Sequence, residues 1–170
     1  MTSQGWGQRA SGARLSSSSH TTDANQVPAS AKWLGGLGLI PFVGLTLSIP
    51  LLDQSLKAQA VFALCAYGAV ILSFLGGIRW GLAIAPANTA PQAFALLPRL
   101  SLSVAPSLLG WVALLLPARA CLLLLAATFS WMLWSDLRVA ARGEAPVWYP
   151  RLRWPLTATV VCALVLAALI

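Results

Sequence analysis

Two formally charged side chains stand inside apolar runs of this 170-residue chain. Arg79 lies in YGAVILSFLGGIRWGLAIA, residues 67–85, and Asp136 in a run that closes on LWSDL. In such surroundings a guanidinium and a carboxylate can neutralise one another across a helix bundle. They can hold an ion of opposite charge, or the arginine can carry its head to the water boundary. Other reactive groups are few. Asp23 is in the N-terminal tail, Asp53 and Glu144 fall between apolar runs, and the single histidine is His20. General acid–base work needs paired carboxylates, and a metal or haem needs a cluster of histidines or cysteines. Cys65, Cys121 and Cys162 all lie in apolar runs and none forms a CxxC, so they are expected to fill helix contacts. No GxSxG and no phosphate-cradling Gly-Lys loop is present, and GLGL at 36–39 follows no strand. No catalytic, cofactor or metal site is expected, and the chain reads as non-enzymatic.

The elements that must position Arg79 and Asp136 follow from composition. Hydrophobic residues make up 58% of the chain and charged residues 9%, with a mean hydropathy of +0.78. Soluble domains carry roughly 25% charged residues, so this chain cannot cover a water-facing surface and belongs in a lipid bilayer. Its net charge of +7 comes from basic residues flanking apolar runs, the pattern that orients membrane spans. No basic helix or aromatic RNA-binding motif points to nucleic acid.

Residues 1–32 are rich in Ser, Thr, Gly and Ala, with Arg9, Arg14 and Lys32 against Asp23. Two readings fit them: a disordered tail, and a mitochondrial targeting peptide, which is also Ser-rich and acid-poor. They have no hydrophobic region of a secretory signal. Residues 33–170 resolve into five apolar runs, about 33–52, 58–85, 100–116, 120–137 and 154–170, each near the roughly 17–25 residues of a spanning helix. The fold class is therefore all-α, an integral membrane bundle of five helices. With the tail inside, Arg9, Arg14, Lys32, Arg99, Arg138, Arg142, Arg151 and Arg153 lie inside and Lys57 and Arg119 outside. This bias puts the N-terminus inside and the C-terminus outside. Trp33, Trp131, Trp134, Trp148, Tyr149 and Trp154 fall at or near the same inner interface, with Trp148 and Tyr149 in the inner loop.

From Ala58 to Arg79 the second helix rises about 31 Å, so Arg79 reaches the inner rim of a hydrocarbon core about 30 Å thick. Asp136 comes to similar depth near the end of the fourth. A carboxylate there opposes the helix dipole and cannot reach far, so it needs a partner. Arg79 is the candidate across the bundle, with Arg142, Arg151 and Arg153 as alternatives; equally, Arg79 can extend to headgroups. Packing has its own signal in Ala69, Ser73, Gly77, Gly81 and Ala85, a small residue every four, with Gly76 adding a second thin patch. Pro41, Pro50 and Pro106 lie within runs and bend their helices.

The segments GLGLIPF (ending at Phe42), YGAVILSFLGGIRWGLA (67–83), LPRLSLSVAPSLLGW (97–111) and RLRWPLT (151–157) together resemble the transmembrane protein 69 family over residues 33–170. FLGGIRWG is the most specific block. The resemblance implies a small multi-spanning protein of a bacterial inner membrane or a mitochondrial inner membrane, without catalytic residues. The expected function is that of a helix-packing accessory or assembly factor whose partners are the bilayer and other membrane helices. A small transporter or channel for an anionic solute, using Arg79 and Asp136, is the alternative.

Overall fold

A computed structural model describes residues 27–84, 93–142 and 148–170, with the side chains of Leu82, residues 93–96 and Arg99 excepted. The tail through residue 26, Ala85 and Glu144 lie outside the described residues. Among the described residues five α-helices follow in order: α1 (Ala29–Ser48), α2 (Gln54–Ile84), α3 (Ala93–Leu114), α4 (Ala118–Ala141) and α5 (Tyr149–Leu169). No strand occurs among the described residues. Helices α1, α2, α4 and α5 are long and apolar enough to cross a membrane; the apolar part of α3 is the shorter Leu100–Leu114.

Several boundaries extend beyond the apolar runs, because helices do not end where hydropathy does. α1 starts at Ala29, after Pro28, and α4 starts directly after Pro117. At these positions a fixed φ and a missing N–H do no harm. Lys32, assigned to the tail by composition, is thus helical. Trp148 and Tyr149, expected in a loop, are the N-cap and first residue of α5. α2 gains a turn because Asp53 caps it: the Leu56 N–H and the Ser55 hydroxyl both donate to Asp53 Oδ1, at 3.0 and 2.9 Å. Those bonds hold the exposed Asp53 carboxyl below the usual aspartate range. Pro50 lies not in α1 but in the 3-10 turn Ile49–Leu51 after it, whereas Pro41, Pro98, Pro106 and Pro155 are inside helices.

The contacts define an up-and-down bundle. Thr46 of α1 donates to the Ala163 carbonyl of α5 at 3.3 Å, and Gly35 stands against Leu156, so these two helices run parallel. α2 packs most extensively against α3, antiparallel, with Ala69 against Gly110 and Gly76 against Ser103. α4 and α5 run antiparallel.

Each helix turns one face inward with steps that alternate three and four residues. The series are 39, 42, 46 on α1, continued by 49 in the 3-10 turn after it; 65, 69, 72, 76 on α2; 103, 106, 110, 113 on α3; 122, 125, 129, 132 on α4; and 157, 160, 164, 167 on α5. A mean step of 3.5 keeps one seam facing neighbours that cross at a shallow angle. Phe42 is the hub, with its ring 5.0 Å from Tyr67 and 5.9 Å from Phe129, both edge to face. Outer faces are also apolar: Leu37, Phe62, Phe74, Leu108 and Leu169 are all exposed. Helices that are hydrophobic on every side match lipid rather than water.

Candidate functional site

Three of the inward seams end in a charge. On α2 the series continues from Gly76 to Arg79, on α4 from Met132 to Asp136, and on α5 Arg153 precedes Thr157. Each charged residue stands roughly one to one and a half turns inside its helix. α2 and α4 end here and α5 begins, so the three meet at one end of the bundle.

Asp136 is the centre. Its residue is 4% exposed and Arg153 is 8% exposed. Oδ1 faces Arg79 Nε at 3.3 Å. Oδ2 accepts a hydrogen bond from Arg153 Nε at 2.8 Å and one from the Tyr149 hydroxyl at 3.3 Å. Arg153 Nη2 also lies 2.8 Å from Oδ2 but is not aligned to bond it, so this buried nitrogen has no hydrogen-bond partner among the described residues. Arg79 is tied further to α4: Nη2 donates to Ser135 Oγ at 2.7 Å, and Nη1 lies 3.7 Å from Met132 Sδ.

Of the two fates open to Arg79, the geometry therefore gives the inward one. It reaches Asp136 rather than extending to headgroups. Asp136 does not choose between the candidate partners, because it holds both Arg79 and Arg153. Arg138, on the same helix, turns away and stacks on Trp134 with its guanidinium carbon 3.6 Å from the ring centre. Arg142 and Arg151 are exposed. The role of Tyr149 is not visible in an aromatic inventory. Its signal is spacing, since it precedes Arg153 by one turn on the same face.

The small residues divide. Ala69 is buried, its backbone against Gly110. A Cβ on Gly76 would collide with the Ser103 carbonyl oxygen, so only glycine lets α3 come this close. Ser73, Gly77 and Gly81 are exposed instead. Gly77 and Gly81 have open space where a Cβ would stand, and the Ser73 hydroxyl bonds back to the Ala69 carbonyl. A four-residue repeat overshoots a full turn by about 40° at each step, so the series winds from the α3 seam to the outer surface.

Cys65 and Cys121 are buried and border one cavity of about 300 Å³ at the opposite end of the bundle, beside Lys57 and Gln54. Cys162, in contrast, is exposed on α5 and borders an outer groove with Val43 and Leu47. Two of the three cysteines thus fill helix contacts.

Residues 27–169 match a family model described as "Protein of unknown function (DUF3429)". The chain belongs to this family. It is 40% identical over 145 residues to Transmembrane protein 69 of Xenopus tropicalis, an alignment covering 81% of this chain and 53% of that protein. It is 35% identical over 92 residues to Transmembrane protein 69 of Mus musculus, covering 54% of this chain and 36% of the relative. The chain thus spans about half the length or less of these curated relatives. No solved structure matches it significantly. The family match includes all three charge-bearing seams, and with the apolar helices it makes this a membrane protein.

Proposed function

We propose that the chain is a non-enzymatic accessory or assembly factor that packs against helices of a larger complex. We place it in a bacterial inner membrane or a mitochondrial inner membrane, with all five helices spanning and the N-terminus inside. The observation that carries this reading is the outward face of α2. Ser73, Gly77 and Gly81 offer a thin exposed strip with its one hydroxyl already satisfied, which suits close approach by a second helix. The polar groups meanwhile turn inward and hold α2, α4 and α5 to one another. For orientation, the support is the uneven sharing of Lys and Arg between the two sides.

A transporter or channel built on Arg79 and Asp136 would need a polar passage between α2 and α4. Asp136 is instead buried and ion-paired to the partly buried Arg79, and two cavities, of about 300 and 380 Å³, are lined by other residues.

Crosslinking in native membranes tests the accessory reading. A photoreactive residue at position 77 is expected to capture a neighbouring membrane protein, while one at exposed Phe62 captures little. Recovery of the monomer alone from both positions would reject the reading.

A further inference from the structure

We propose that the charged end of the bundle binds the phosphate of an anionic phospholipid headgroup, seated against Arg153 and Arg79. The inference needs only that the chain is embedded in a membrane; it does not depend on the accessory role.

Among the described residues, the buried Arg153 guanidinium and the partly buried one of Arg79 share one carboxylate, so these three residues carry one positive charge in excess. An uncompensated buried charge is strongly unfavourable. Moreover, the excess has a direction. Arg153 Nε has taken the directed bond to Oδ2, and buried Nη2, which shares that oxygen only as an ion pair at 2.8 Å, has no hydrogen-bond acceptor of its own among the described residues. A buried charged donor left without an acceptor is a defect that an arriving oxygen repairs.

Depth selects the class of anion. The cluster sits just inside the helix ends, and exposed Trp80, Trp134 and Trp154 surround that end. Tryptophans concentrate at headgroup level. A lipid phosphate is already at this depth, while a free anion must leave bulk water to reach it. Phosphate oxygens also match the guanidinium fork. Arg138, Arg142 and Arg151 are exposed at the same end and add long-range attraction to a negative surface. Inorganic phosphate shares the recognition chemistry, so the experiment must separate the two.

The test uses the full chain, delipidated in a neutral detergent. Thermal unfolding is followed after adding dioleoyl-phosphatidylglycerol, dioleoyl-phosphatidylcholine or inorganic phosphate, and retained lipid is counted by native mass spectrometry. Phosphatidylglycerol is expected to raise the midpoint and to remain bound, and phosphatidylcholine to do neither. R153Q is expected to weaken phosphatidylglycerol retention about tenfold, the loss of one charged hydrogen bond, whereas R151Q at the exposed neighbour changes it little. If R153Q does not fold, the wild-type difference between the two lipids decides. Equal effects of both lipids would overturn the proposal, as would full protection by inorganic phosphate alone. No protection by any of them, with E144Q as damaging as D136N, would place the counter-charge in the chain itself and also overturn it.

Discussion

The two faces of α2 use similar residues for opposite ends. Inward, Ala69 and Gly76 bring the backbone of α3 into contact, and Arg79 closes the seam on Asp136. Outward, Ser73, Gly77 and Gly81 are exposed, and among the described residues nothing stands where a methyl added to either glycine would go. Composition does not separate the faces; the step along the helix does. Alternating three- and four-residue steps stay on the seam, and a constant step of four leaves it. The charged residue is on the seam for the same reason as Leu72, namely that it continues the period.

Removing the charge at the end of the inner seam should break this contrast most severely. D136N leaves the buried Arg153 and the partly buried Arg79 without their carboxylate and is expected to lower stability by about 3–5 kcal/mol, read as a loss of folded protein in detergent-based thermal unfolding. Replacing Arg79, Asp136 and Arg153 together with Met, Leu and Leu should recover much of that loss, since no unpaired charge remains. Next comes the glycine contrast. G76L must push α3 away and is expected to lose about 1–3 kcal/mol, while G77L in the isolated protein should stay within about 0.5 kcal/mol. On native gels from membranes the order should reverse, with G77L altering the assembly more. A smaller effect is expected at the hub, where the Tyr67 hydroxyl donates to the Gly38 carbonyl at 3.0 Å; Y67F should lose about 0.6 kcal/mol, typical of such bonds in membranes. The smallest lies where α2 begins. Because the Asp53 carboxyl titrates below its usual range, its cap is fully present above the unfolded aspartate value near 3.9. It is lost as pH falls through the lower folded value. D53A should speed amide exchange at Leu56 at neutral pH and abolish that pH dependence.

Much of the helical layout was legible from hydropathy, because lipid leaves helices as the natural way to satisfy backbone polar groups. The ends were less legible. Asp53, Pro28 and Pro117 set them through capping and fixed φ, and polar flanking residues such as Tyr149 join helices without adding hydropathy. Depth arithmetic brought Arg79 and Asp136 to one level, and dipole reasoning demanded a partner for the carboxylate. The share of Arg153 was harder to see, since it sits among basic residues that look alike by composition. Its mark is the spacing to Thr157, Val160, Leu164 and Ala167, which only a buried seam explains. The every-four stripe merges two surfaces of α2, since Ala69 and Gly76 face α3 while Ser73, Gly77 and Gly81 are exposed.

The charge cluster also imposes an order in time. Ser135 and Asp136 are made long after Arg79, with Ser135 56 positions downstream, and Arg153 comes a further 17 residues after Asp136. At roughly 5–20 residues per second, α2 waits about 3–11 s with its arginine unmatched. During that interval the nascent helix needs shelter from the insertion machinery or from headgroups. Only when α5 arrives does the last guanidinium take its place, so the cluster closes after α2 and α4 are already made.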